Sequence, residues 1–361
     1  MRHTIRAALT LAATVSTAAA LAAGLPGAAA PAAAATTTYT ITDLGSLGGG
    51  VTHGLAINAA GQVTGDSVLS QLVQVPCPVQ KYGGPKKCFA HPDHAFVWSN
   101  GTMNDLGSLG GLSSQGVAIN GSGEVVGESA TKSAGPYAPF LWDGHSMKAL
   151  SAPTTVHGIN DSGQIVGQCF DPVFIQTTAC VVSNGTVTAL PESNPSIECV
   201  YINTIPPSIP AADGINNNGQ ILGNCFYSAL GLAIVWTNDT PTVLPTLGGV
   251  ASSGTAISSN GQVVGTSGTS TGAEDGFLWS NGAMTDLGST FSPVAVNDSG
   301  VIVGGQFVYS NGTLQNLNSL IPAGSGYQIQ NATGINDNGQ IVANATDTAT
   351  NQGHALLLTP N

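Results

Sequence analysis

One phrase recurs seven times along this chain, and it restricts the possible folds more than any other feature. It reads LAINAAGQVTG at 55–65, VAINGSGEVVG at 117–127, HGINDSGQIVG at 157–167 and DGINNNGQILG at 213–223. It continues as TAISSNGQVVG at 255–265, VAVNDSGVIVG at 294–304 and TGINDNGQIVA at 333–343. The glycines at its turn are Gly61, Gly123, Gly163, Gly219, Gly261, Gly300 and Gly339, spaced by 62, 40, 56, 42, 39 and 39 residues. The base period is therefore about 40, interrupted by two insertions of roughly 20 residues.

A second phrase alternates with the first. HAFVWSNGTMNDLGSLGG at 94–111 is its fullest copy, and GFLWSNGAMTDLGS at 276–289 and LAIVWTNDTPTVLPTLGG at 232–249 are others. These are short β-rich runs broken by N-G or D-G, the strongest short-range hairpin signal. One unit therefore reads as four strands: A (xAIN), B (QVVG), C (HAFVW) and D (TMNDLG). Four short antiparallel strands every 40 residues predict a propeller blade, because one blade cannot cover both its faces and must stack on neighbours. The stretch TYTITDLGSLGG at 38–49 matches strand D, while HALLLTP at 354–360 matches strand C and lacks its D strand. Joining them completes a seventh blade. The fold expected is all-β: a seven-bladed propeller closed by pairing its N-terminal strand with its C-terminal blade.

The first 35 residues read differently. MRHTIR is followed by an apolar Ala/Leu/Val run and then LPGAAAPAAAA, the order of a secretory signal peptide, with cleavage expected between Ala30 and Ala35. The run is too short and Ala-rich for a membrane span. The propeller is expected over 36–361, with insertions at 68–93 and 191–212. Losing Arg2 and Arg6 leaves five Lys against nineteen Asp and Glu, a net charge of −14. That balance argues against nucleic acid and against anionic membrane. The expectation is a secreted, extracellular monomer of bacterial type.

Six cysteines in an exported chain point to disulfides, with fifteen pairings open in principle. Proximity favours Cys77–Cys88, Cys169–Cys180 and Cys199–Cys225. The absence of C-x-x-C argues against a zinc knuckle or a thioredoxin-like site.

Together, His94-Ala95-Phe96, Asp105-Leu106-Gly107-Ser108-Leu109-Gly110-Gly111 and the seven AIN-like runs resemble the HAF-family extracellular repeat. The resemblance covers essentially the whole chain after residue 35. It implies secretion and repetition, and no particular activity. Departures are Ser258 for Asn and Ala343 for Gly, which put the geometry of those single turns in question.

The repeated residues favour structural roles. Asn58, Asn120, Asn160, Asn216, Asn297 and Asn336 start tight turns, where Asn bonds its own backbone. Trp98, Trp142, Trp236 and Trp279 share one place in strand C, with Tyr309 there in unit six; this reads as packing between blades rather than a sugar-stacking row. Asp161, Asp298 and Asp337 stand in the A–B turns without a calcium-loop pattern. Asp43, Asp105 and Asp286 are expected to bond backbone at the end of strand D. His53, His91, His94, His157 and His354 lack metal spacing. No catalytic motif, cofactor motif or metal set is present, and Glu128, Glu192, Glu198 and Glu274 cannot be paired by sequence.

Asymmetry points to function. In a meandering blade the B–C and D–A connections emerge on one face, and all large insertions fall in them. Segment 68–93 carries the candidate ligand-binding residues Lys81, Tyr82, Lys86, Lys87, His91 and Asp93, beside Cys77 and Cys88. Segment 191–212 carries Glu192, Cys199 and Tyr201. Three readings remain: a non-catalytic propeller binding a glycan, cell-wall polymer or protein through these loops; a carbohydrate-active enzyme with carboxylates on that face; or a structural component of matrix or envelope.

Overall fold

The computed structural model describes residues 37–75, 87–132, 135–171, 176–191, 208–227 and 230–361. They form seven four-stranded antiparallel sheets, plus one two-stranded hairpin, Val73–Val75 with Cys88–Ala90. The A strands are Gly48–Ile57, Ser114–Ile119, Thr155–Ile159, Ser208–Ile215, Gly248–Ile257, Ala295–Val296 and Tyr327–Ile335. Each lies beside the A strand of the next blade, and Gly48–Ile57 touches both Ser114–Ile119 and Tyr327–Ile335, so the ring is closed.

The closure is the one the chain ends predict. Tyr39–Asp43 pairs antiparallel with Gly353–Pro360, Tyr39 opposite Pro360 and Asp43 opposite Leu356. It supplies the outer strand of the last blade. Tyr39 is buried in a cluster with Leu356 and Leu358, and its N–H donates to Leu320 O at 2.9 Å. Beside this clasp, His354 Nδ1 and the Tyr327 hydroxyl both donate to Asp43 Oδ2, at 2.9 and 2.8 Å. Desolvation, then the carboxylate, push the Tyr327 phenol up to about 12.

The core lies in the seams. Val63, Phe96 and Trp98 of blade 1 pack on Val342, Ala355 and Leu357 of blade 7. Phe140 of blade 2 packs on Ala95 and Val97 of blade 1. The strand-C tryptophans join these seam clusters, as the repeat register implies. Burying one such Phe contributes about 2–3 kcal/mol. Trp236 is fully buried, and its indole N–H donates to Pro191 O at 2.8 Å rather than to water.

The turns follow their residue types. Asn100-Gly101, Asn184-Gly185, Asn281-Gly282 and Asn311-Gly312 have positive φ at both positions, the two-residue turn that matches strand twist. In the A–B turns Asn58 Oδ1 accepts from Ala60 N at 3.1 Å and Gln62 N at 2.9 Å, and Gly61 supplies φ 77°. The glycine that ends the phrase has another reason. A Cβ on Gly65, Gly127 or Gly167 would lie 1.9 Å from a strand-A carbonyl oxygen. Ala343, expected to question a turn, instead stands inside a strand opposite Ala332. The strand-A register shifts just before this pair, between Ile329 and Asn331, as it does in blade 4 between Ser208 and Ala211.

Cys169 and Cys180 are joined as expected. Cys88 and Cys225 are also disulfide-bonded; Cys77 and Cys199 lie outside the described residues.

Candidate functional site

The two faces of the ring are built differently. On the A–B turn face the repeated asparagines do more than shape their own turns. Asn58 Nδ2 donates across the seam to Asn120 O at 2.8 Å, Asn120 to Asn160 O at 3.2 Å, and Asn160 to Asn216 O at 3.2 Å. Asn216 reaches Ser258 O at 2.9 Å, Asn297 reaches Asn336 O at 3.1 Å, and Asn336 returns to Asn58 O at 3.1 Å. All six are buried. Ser258 has no amide to donate, and Asn260 takes over, with Nδ2 on Asp298 O at 2.7 Å. The girdle therefore runs through every seam.

The turn aspartates also reach across seams rather than serving only their own turns. Asp161 accepts from Gly121 N at 2.6 Å, Asp298 from Asn260 N at 2.9 Å, and Asp337 from Asp298 N at 2.9 Å. These side chains surround a cavity of about 190 Å³ at the turn-face end of the central channel. Their hydrogen bonds are spent on the ring, which leaves this face a fastener.

The other face carries the variable connections. Here the hairpin Val73–Val75/Cys88–Ala90 stands out from blade 1. Leu72 and Phe89 at its base and tip strand are 58% exposed, as is Tyr137 at the B–C connection of blade 2; Phe170, at that of blade 3, is 55% exposed. Four large apolar side chains thus stand uncovered on consecutive blades. Of the residues expected to bind ligand, Lys87 and His91 are exposed on this hairpin side. His91 Nδ1 donates to Leu69 O at 3.0 Å, and Asp93 accepts from Ser113 Oγ at 2.6 Å, tying the hairpin base to blade 2. Lys81, Tyr82 and Lys86 lie outside the described residues, as do Glu192, Glu198, Cys199 and Tyr201.

Four histidines on this side pair with carboxylates. His94 lies 2.9 Å from Asp105 and His354 2.9 Å from Asp43, equivalent places in blades 1 and 7. Asp43, Asp105 and Asp286 each also accept from the backbone N–H two residues on, as the repeat suggests. Burial raises the Asp105 pKa, but the His94 and Gly107 hydrogen bonds outweigh it and hold the carboxyl low. His53 donates to buried Asp66 at 3.0 Å, and Gln115 of blade 2 donates to the same carboxylate at 2.7 Å. His157 of blade 3 lies 3.3 Å from Asp213 of blade 4. Hydrogen bonding to Asp66 and to Asp213 pushes both imidazoles up against the opposing effect of burial.

His157 and Asp213 were readable only as the opening residues of their repeat phrases, where other units have Leu55, Val117, Thr255, Val294 and Thr333. Two adjacent units differing in this way is the signal that finds them. They line the loop-face mouth of the channel. Among the described residues no three His, Cys, Asp or Glu side chains gather as a metal site requires, and no helix is long and apolar enough to cross a membrane.

No protein-family model matches this chain, and no curated protein matches it. Solved structures with the same architecture do. The β-propeller domain of the trilobed protease from Pyrococcus furiosus superposes with a TM-score of 0.50 at 8% identity, over 89% of this chain and 95% of that one. That domain has an open velcro topology, whereas Tyr39–Asp43 closes the ring here. TolB from Acinetobacter baumannii gives 0.40 at 10% identity, over 74% of this chain, and Pyrococcus horikoshii acylaminoacyl peptidase 0.48 at 10%, over 86%. The chain spans 60% and 52% of the lengths of those two. The class is therefore a seven-bladed β-propeller, and at these identities the likeness extends to the fold alone.

Proposed function

We propose that this chain is an exported, non-catalytic binding propeller of the HAF-repeat kind, recognising an extracellular glycan or cell-wall polymer through its loop face. The observation that carries this reading is one-sidedness. The turn face commits its polar side chains to seams, while Leu72, Phe89, Tyr137 and Phe170 stand exposed on the other face over three consecutive blades. A scaffold alone has no need of that contrast, since exposed apolar surface costs free energy unless something covers it. The Cys169–Cys180 disulfide supports an oxidising compartment. The net charge of −14 after the leader weighs against polyanionic ligands.

The test is an array of microbial and plant polysaccharides probed with the protein from residue 36 onward. A variant with residues 76–89 replaced by a short Gly/Ser turn is probed beside it. Binding that is specific in the first and lost in the second supports the reading. An absence of binding in both refutes the polymer as ligand.

A further inference from the structure

The A strands share one irregularity. In six of the seven described blades the A–B register slips by one residue at the same place, between Gly54 and Ala56, Gly116 and Ala118, Val156 and Gly158, Ala212 and Gly214, Gly254 and Ala256, and Ala332 and Gly334. The extra residue of a β-bulge leaves the ladder and its side chain is re-aimed. Here Leu55, His157, Asp213, Thr255 and Thr333 are such residues, and all line one cavity of about 300 Å³ at the loop-face mouth of the channel. Its floor is a collar of aliphatic side chains, among them Ile57, Ile159, Ile215 and Ile257, shared with the turn-face cavity.

Holding the ring together does not require a histidine in this slot. Thr333 Oγ1 donates to Gly54 O of the next blade at 2.9 Å, and Thr255 Oγ1 to Pro293 O at 2.9 Å. His157 Nδ1 makes the same bond, to Ala212 O at 3.0 Å, and lies 3.3 Å from Asp213. What the imidazole adds is its far nitrogen. Nε2 makes no hydrogen bond among the described residues and is not a buried unpaired atom. Asp213 is held from behind: Asn224 Nδ2 donates to its Oδ2 at 2.8 Å, and Asn224 is itself fixed by Gly254 N at 2.8 Å and Gly254 O at 2.9 Å. The two side chains are 31% and 26% exposed, so both can be reached from the channel. A supported pair aimed into an open cavity is a preorganised site.

We propose that this mouth binds the terminal unit of a neutral saccharide, with His157 and Asp213 taking adjacent hydroxyls and the aliphatic collar meeting the sugar's C–H face. The proposal rests on the loop-face binding reading for its class of ligand and gives the polymer end a seat of its own. The cavity is at the small end of ligand sites, about 300–1,000 Å³, which suits one sugar unit whose chain leaves by the open mouth. Asp213 disfavours a carboxylate ligand by like charge. A neutral hydroxyl pair instead meets a nitrogen and a carboxylate side by side.

The experiment uses the chain from residue 36 with ¹³C-labelled histidine and follows the ring Cε1–Hε1 signals. Glucose, galactose, mannose and N-acetylglucosamine are titrated separately, with sodium acetate as the anion probe. The expected result is a saturable shift of the His157 signal with at least one sugar, an unmoved His94 signal, and at least tenfold weaker binding in Asp213→Asn. His157→Gln, read by calorimetry with the same sugar, loses binding to the same extent while its melting curve stays cooperative. No response to any of the four sugars, undiminished affinity in both variants, or a stronger response to acetate overturns the proposal. The variant with residues 76–89 replaced keeps the His157 response. If the unaltered protein shows that response yet binds no polymer on the array, the mouth site stands and the polymer reading falls.

Discussion

Replacing Asn58 by Ser should copy into blade 1 the break that blade 5 carries naturally at Ser258. The change removes the Nδ2 donor to Asn120 O at 2.8 Å and to Gln62 Oε1 at 2.7 Å, and leaves Ala60 N without its Oδ1 acceptor at 3.1 Å. One bond survives, because Ser258 Oγ still accepts from Gln262 N at 3.1 Å in the equivalent turn. Three hydrogen bonds at about 1 kcal/mol each give a loss of about 3 kcal/mol. The compact unit Thr37–Asn361 has 325 residues. With an unfolding entropy near 2.1 cal/mol/K per residue, that loss lowers the melting temperature by about 4 °C. Blade 5 also shows the remedy. Asn260 spans the seam to Asp298 O, so Ala60→Asn in the Asn58→Ser background should place an amide opposite the carbonyl of Gly121. Gly121 has no side chain to accept from the residue-60 N–H, as Asp298 accepts from Asn260, so recovery should be partial, about 1 kcal/mol. A double-mutant cycle by urea unfolding reads this coupling directly. A cost below about 0.5 kcal/mol for Asn58→Ser, or the same gain from Ala60→Asn in the unaltered protein, would refute the girdle as a stabilising element.

Gly127→Ala puts a Cβ 1.9 Å from Gln115 O and 2.9 Å from the Phe140 ring, so it should cost about 1–3 kcal/mol or more by urea unfolding. Gly214→Ala, whose nearest neighbour is 3.7 Å away and whose slot is Ala56 in blade 1, should stay within about 0.5 kcal/mol. Removing residues 37–46 takes away buried Tyr39, uncovers the edge of Gly353–Pro360, and should cost at least about 3–5 kcal/mol; an unchanged melting temperature would contradict closure by this strand. His53 and His157 are held above the ordinary histidine pKa of 6.5 by Asp66 and Asp213. Their stabilising contribution is complete below that value and is lost as pH rises through their folded pKa. Melting temperature should therefore fall across that range, and fall less in a His53→Gln/His157→Gln variant.

Most of the fold was legible because the determinants are local and repeated seven times. An Asn that caps its own turn, a Gly that supplies positive φ and an N-G between β-rich runs each work within five residues. Even ring closure could be read, since one chain end carries the strand the other lacks. What escaped the sequence is whatever depends on the neighbouring blade. The reach of Asn336 to Asn58 spans 278 positions, and the pairing of His157 with Asp213 spans an insertion that hides their equivalence. The end glycine likewise looks like a turn residue in the repeat, because only the packed sheet places a carbonyl 1.9 Å from where its Cβ would be. On the loop face the sequence pointed to basic and polar residues near the hairpin. The described surface there is also apolar, through side chains that β-propensity alone assigns to strands.

The central claim is that one face binds and the other fastens, and matched surface substitutions test it most directly. On whichever polysaccharide the array selects, affinity is measured for Phe89→Ser/Tyr137→Ser/Phe170→Ser and for the turn-face control Ser122→Ala/Ser299→Ala. The account predicts at least a tenfold loss in the first, no change in the second, and cooperative melting for both. Equal affinity in the two variants, or a loss confined to the turn-face control, would contradict it.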